Sequence, residues 1–172
     1  LDSGKFVKIY TYSRRDSSFK CTTSAYELAE DALENYKLGY STTLFSPTGG
    51  LKISAQDLAK VMMMHMNMGS IDGVKILNRE SAELMQSEIT TTDHKDENYG
   101  MAILRTNDLL KGQRLVGHDG LALGAYTAMY WHPEENYGFV VMTNGCTGVS
   151  DNHVFANILC ESVECMYKHL IR

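Results

Sequence analysis

Apolar and polar positions alternate most regularly toward the C-terminal end of the chain. In GAYTAMYWH, Tyr126, Ala128 and Tyr130 face one way and Thr127, Met129 and Trp131 the other, which is the two-residue period of a strand. FVVMT, beginning at Phe139, is apolar nearly throughout, as in a strand covered on both faces. HPEENYG between them reads as a hairpin turn, and RLVGH before them as a shorter strand. Upstream, YGMAILR predicts one further strand and KFVKIYTYS a strand or extended segment, whereas RRDSSFK is polar and loop-like.

Three stretches carry the helical period instead. Ser54 caps a helix in which Asp57 gives a capping-box-like start with a charge suited to the N-terminus. Its predicted inner face is Leu58, Val61, Met62 and His65, and Gly69 stops it. After a turn at Asp72-Gly73, Asn78 caps a second helix, RESAELMQSE. From Asp151 to Ile171 the stripe Phe155, Leu159, Val163, Met166 and Leu170 predicts an amphipathic terminal helix. A shorter stripe of Tyr26, Ala29, Leu33 and Tyr36 follows Ser24, and then KLGYSTTLFSPTGG reads as a surface loop. TTTDHKDEN and DLLKGQ also read as loops. Consecutive antiparallel strands with helices before and after predict an α+β domain, an antiparallel sheet packed with helices.

Composition narrows the class. A chain of 172 residues, 44% hydrophobic and 22% charged, suits one globular domain with a substantial core. A net charge of −5 with no Lys/Arg cluster argues against a nucleic-acid partner. No apolar run approaches the ~20 residues of a membrane span. The chain begins at Leu1 without a signal-like segment, so the expectation is a processed piece of something longer. Cys21, Cys146, Cys160 and Cys165 form neither a CxxC pair nor a zinc spacing with histidine, and read as small hydrophobes. The Met62-Met63-Met64 run reads as core filler rather than a soft-metal site. Neither metal nor cofactor is expected.

The candidate chemistry sits at His118-Asp119-Gly120. A histidine at a strand end, beside a glycine that lets a ligand approach the backbone, is a place for acyl-transfer chemistry. The other histidines (His65, His94, His132, His153 and His169) form no triad with a serine and an aspartate. His65 is expected to pack on its helix face and the rest to be solvated.

Several landmarks, in order, resemble the serine β-lactamase and penicillin-binding-protein superfamily, in its class C-like esterase and D-aminopeptidase branch. SPTGGLKISAQDLAKVM resembles its PAGG-x-x-S/T-x-x-DLA segment, and GVKILNRESAELM its helix entry. YGMAI resembles its YGlGw strand, VGHDG its xGHxG motif, and YGFVVMTNG its final TNg strand. The resemblance implies a partial β-lactamase/transpeptidase-like fold, with residues 1–45 as lead-in and 46–172 as core strands and terminal helix. It also implies that His118-Asp119-Gly120 is the third catalytic motif, Lys/His-x-Gly, near the nucleophile and the substrate carboxylate or leaving group. The backbone N–H of Leu121 would be one of two oxyanion-hole donors. His118, Asp119 and Leu121 would contact substrate, and histidine in place of lysine weakens the case for an anionic one.

The resemblance further implies a Ser-x-x-Lys nucleophile and a Tyr-x-Asn/Ser motif upstream of the PAGG-like segment. Ser17-Ser18-Phe19-Lys20 and Tyr40-Ser41-Thr42 match in part, but both read as surface polar residues. The leading expectation is therefore the C-terminal part of a serine hydrolase, inactive by itself. The full-length protein would act on a small-molecule or peptide substrate and work in the periplasm or outside the cell. The alternative is a non-catalytic binding module on the same scaffold. Sheet surface left exposed by truncation predicts self-association.

Overall fold

The apolar strands read from the alternation pair into one antiparallel sheet. The structure, a computed structural model, describes residues 3–22, 33–41, 51–91, 97–148 and 154–172. Its main sheet is built from β5 (Thr90–Thr91), β6 (Glu97–Tyr99), β7 (Leu104–Thr106), β8 (Leu115–Ala122), β9 (Ala125–Trp131) and β10 (Gly138–Met142), in the order 10-9-8-7-6-5. Two small hairpins stand apart, β1 (Tyr10–Ser13) with β2 (Ser18–Cys21), and β3 (Ser70–Ile71) with β4 (Val74–Lys75). The chain thus has the α+β architecture of a partial β-lactamase-like fold.

Helices cover both faces of the sheet. On one face α1 (Ala55–Met66) sets Met62 against Ile103, Val116, Met129 and Trp131, with Met85 of α2 (Arg79–Gln86) packed alongside. On the other, α3 (Asn157–Met166) sets Leu159 and Val163, with Phe155 just before it, against Leu104, Leu115, Ala128, Tyr130 and Phe139. A helix of 10 residues is marginal alone, so α3 is held by this burial. Each fully buried Leu, Val or Phe contributes roughly 1.5–3 kcal/mol.

Both caps read from the sequence form. Ser54 Oγ accepts from Asp57 N at 3.1 Å and donates to the Asp57 carboxylate at 2.8 Å. Asn78 Oδ1 accepts from Ser81 N at 2.6 Å. The Asp72-Gly73 turn has both residues at positive φ, 50° and 78°, as a two-residue hairpin of the primed type requires.

Four expectations are corrected. RRDSSFK is not loop-like, because Ser18–Cys21 pairs with Tyr10–Ser13. YGMAILR is not one strand, because a turn around Ala102, at φ 61°, folds it into β6 and β7. TTTDHKDEN is not a loop throughout, because Thr90–Thr91 pairs with Asn98 and Tyr99 of β6, whereas DLLKGQ is a loop as read, with Leu109 and Leu110 buried on the α3 side. Leu170 leaves the apolar stripe and is exposed, because the chain after Met166 widens into a π-helical turn closed by Arg172 N to Tyr167 O at 3.0 Å. The stripe at Tyr26 and Ala29, the PAGG-like loop from Thr42 to Gly50, His94 and His153 lie outside the described residues.

Candidate active site

The register of β8 divides it into two parts. β7 pairs with Leu115, Val116 and Gly117 only, whereas β9 pairs from Val116 through Ala122. Among the described residues, nothing pairs with His118–Ala122 on the β7 side. Which backbone groups face that open edge follows from alternation. Thr143 N donates to Tyr126 O at 2.9 Å, so the even residues of β9 turn their N–H and C=O toward β10 and the odd ones toward β8. The partners of those odd residues on β8 are Val116, His118, Gly120 and Ala122. Hence the N–H and C=O groups of Asp119 and Leu121 point out of the open edge.

His118 bends over this edge. Its Nδ1 lies 2.6 Å from the carbonyl oxygen of Asp119. A carbonyl only accepts, so this contact is a hydrogen bond in the tautomer with the hydrogen on Nδ1. The ring of Tyr99, at the end of β6, meets that of His118 edge-on with centroids 6.4 Å apart. Tyr99 reaches it because its partner Leu104 is itself the partner of Gly117. His118 is exposed, as are Met101 in the neighbouring turn and Leu121 on the strand.

Asp119 turns to the opposite face of the sheet. Tyr130 Oη donates to its carboxylate at 3.4 Å, a diagonal cross-strand contact since Asp119 is paired with Ala128. Burial pushes the Tyr130 hydroxyl far up from its ordinary value, with Asp119 adding to the effect. Burial likewise raises Tyr99, helped by Asp119 and Glu97. Tyr99 opens the YGMAI motif, whereas Tyr130 and Glu97 had no individual signal in the sequence. The register brings Tyr130 within reach of Asp119 and Tyr99 in line with Gly117.

Two glycines have structural reasons. A Cβ on Gly117 would sit 2.0 Å from the Met129 carbonyl oxygen, so no side chain fits where β8 crosses β9. A Cβ on Gly120 would lie 2.7 Å from Thr127 Oγ1, a side-chain neighbour that holds this part of the strand close. The strand then turns at Leu123-Gly124, both at positive φ, 53° and 92°. The β1–β2 hairpin braces that turn through Thr11 Oγ1 to Leu123 O at 3.1 Å, while Tyr10 N binds Asn144 O at 2.7 Å.

The partial serine motifs lie in the β1–β2 hairpin and in a short turn. Ser17 is the left-handed residue of the β1–β2 turn, at φ 51°. Lys20 is paired with Asp16 at 2.8 Å, and this contact, with help from Ser13 and Ser18, lowers the Asp16 carboxyl to about 2. Neither residue stands at a helix start, where the serine motif belongs. Tyr40 is exposed, Ser41 Oγ accepts from Lys37 N at 3.1 Å, and Thr42 lies outside the described residues.

Of the other histidines, His65 is buried on the α1 face and stacks on Trp131 at 5.5 Å. Burial lowers its pKa. Gln86 ties this layer together, donating to His65 O at 3.1 Å and accepting from Trp131 Nε1 at 3.2 Å. His132, expected to be solvated, is instead half-buried and caps the β9–β10 turn, its Nδ1 accepting from Glu134 N at 3.2 Å and Glu135 N at 3.1 Å. His169 is exposed. A cavity of about 60 Å³ lined by Met66, Met68, Gln86, Trp131 and His132 lies at this end of β9, away from the open edge. Among the described residues no three His, Cys, Asp or Glu side chains come together as metal ligands. No helix among them is long and apolar enough to cross a membrane.

The Beta-lactamase family model matches residues 9–160, from the first hairpin into α3. The chain belongs to the beta-lactamase family, and its scaffold is that of a serine hydrolase. A search of curated proteins found no match.

Proposed function

We propose that the open edge of β8 is one wall of an acyl-transfer site, and that the serine nucleophile comes from outside these 172 residues. The observation that carries this reading is the outward-pointing N–H of Leu121 beside His118, on an edge that β7 leaves uncovered. When a serine oxygen attacks a carbonyl carbon, the carbonyl oxygen takes up negative charge, and a fixed N–H stabilises it without reorganising. Expulsion of the leaving group gives an acyl-enzyme, which water then cleaves to the acid. His118, over the same edge, would touch the leaving group or a flanking substituent. Asp119 faces the other way, so its part is to fix the strand through Tyr130. β-Lactams, peptides and esters all present the required carbonyl, and a periplasmic or exported setting goes with the reading.

Fluorophosphonate treatment of the 172-residue chain tests the missing nucleophile. The expected result is no covalent adduct, and labelling of Ser17 would overturn it. A second reading, a reversible ligand-binding module, draws on the same edge, since exposed backbone donors and acceptors bind an extended ligand with no nucleophile. Supplying the upstream part of the domain discriminates: restored labelling marks the enzyme, and continued silence the binder. The apolar side chains exposed beside the edge, Met101, Leu121 and Leu123, support self-association of the chain, which light scattering would register as a mass above the monomer.

A further inference from the structure

We infer that Met68 is a reversible oxidation site, at which a hydroperoxide converts the thioether to a sulfoxide. The new oxygen then draws the Gln86 amide out of the layer that it holds together with His65 and Trp131. This site lies at the Trp131 end of β9, away from the open edge of β8, and does not depend on the acyl-transfer reading.

Ten methionines compete for an oxidant, and their surroundings differ. Met62 and Met64 are buried, whereas Met63 is exposed on α1. Met66 and Met68 are half-buried and line the cavity of about 60 Å³ beside Gln86 and Trp131. About 10–15 Å³ holds one water, and hydrogen peroxide is little larger, so the oxidant has room at these two sulfurs. Among the described methionines, the one whose sulfur accepts a side-chain hydrogen bond is Met68, from Gln86 Nε2 at 3.9 Å.

The backbone fixes where that sulfur sits. Met68 is left-handed, at φ 51°, and its N–H donates to His65 O at 3.1 Å. Gly69 N donates to Met64 O at 2.8 Å and closes the helix end. The buried Gln86 donates to His65 O at 3.1 Å and accepts from Trp131 Nε1 at 3.2 Å. A thioether is a weak acceptor, and oxidation makes the group polar. The Gln86 N–H that now meets sulfur would then find its best partner on the cavity side. His65 O keeps the Met68 N–H, so the amide leaves no orphaned carbonyl behind. Trp131 Nε1 loses its acceptor, and the ring that stacks on His65 changes its surroundings.

The chemistry balances without any further group. A sulfur lone pair attacks one peroxide oxygen, the O–O bond breaks, and a proton passes to the departing oxygen, giving sulfoxide and water. Sulfur is oxidised by two electrons and the peroxide reduced by two. A dithiol-driven methionine sulfoxide reductase reverses the change, yielding thioether, disulfide and water.

The chain has a single tryptophan, so its emission reports Trp131 alone. Hydrogen peroxide treatment of the 172-residue chain, followed in time by peptide mass spectrometry and by emission, tests the inference. Met68 sulfoxide is expected to form about tenfold faster than that of Met62 or Met64, which must wait for local opening. The emission shift should follow Met68 in time, persist in Met63→Leu, vanish in Met68→Leu, and reverse with methionine sulfoxide reductase and dithiothreitol. Met68 staying reduced while Met62 or Met64 is oxidised would overturn the inference. So would an emission shift that follows Met63 or Met66 instead, survives in Met68→Leu, or fails to reverse. Should Met68→Leu not fold, the time course on the unaltered chain decides.

Discussion

The two halves of β8 differ although they are one continuous strand. Val116 and Gly117 are paired on both edges, Leu115 on the β7 edge, and all three are buried. His118 through Ala122 are paired on one edge, and none of them is buried. The inner half joins α1, α3 and the sheet into one core. The outer half has given up a strand partner, which leaves polar backbone groups available to something else. That is a liability in a strand kept only for stability, and an asset where a carbonyl must be bound.

Substitutions should separate the halves sharply. Gly117→Ala is expected to be the most damaging, because its new methyl meets the Met129 carbonyl at 2.0 Å and backbone cannot give way as a side chain can. A loss of about 3 kcal/mol or outright failure to fold should appear in urea denaturation. Leu115→Ala, in the same half, should cost about 2–5 kcal/mol by the same measurement. If either left stability unchanged, the inner half would not be the anchor described.

Asp119→Ala probes the junction between the halves. It leaves the Tyr130 hydroxyl buried without its partner, and a contact of 3.4 Å is long, so about 1 kcal/mol is expected rather than the upper range for a buried orphan. Tyr130→Phe, which removes the hydroxyl as well, should cost less than Asp119→Ala. The opposite ranking would show that the pair does not hold the strand.

A pH series sharpens the contrast from the core side. Burial lowers the His65 pKa, so the unfolded chain binds its proton more readily than the folded one. Stability should therefore be fully present above the unfolded value of about 6.5 and decline as the pH falls below it. His65→Phe, which keeps a ring against Trp131, should flatten this slope in thermal melts between about pH 7 and 5. The smallest expected effect on stability is that of His118→Ala, within about 0.5 kcal/mol, because the side chain is exposed. A large loss there would make His118 a structural residue and remove it from the site.

Much of this fold could be read from local pattern. Ser54 and Asn78 cap their helices as expected, and Tyr126–Trp131 alternates as written, because a cap or a period depends on neighbours a few residues apart. The errors fall where long-range contacts overrode local character. Polar RRDSSFK became half of a hairpin that is braced against residues beyond 120. His132 is a different case: it caps its own turn through Glu134 N and Glu135 N, a local contact that the polar composition of the turn did not single out.

The sequence by itself determined the long strands of the sheet, the caps, the family motifs and the identity of the corner residues, since each is a property of a short window. Only the tertiary structure decided that the pairing with β7 stops at Gly117 and that Leu121 turns its N–H outward. Register and edge are set by partners distant in the chain, and no local period encodes them.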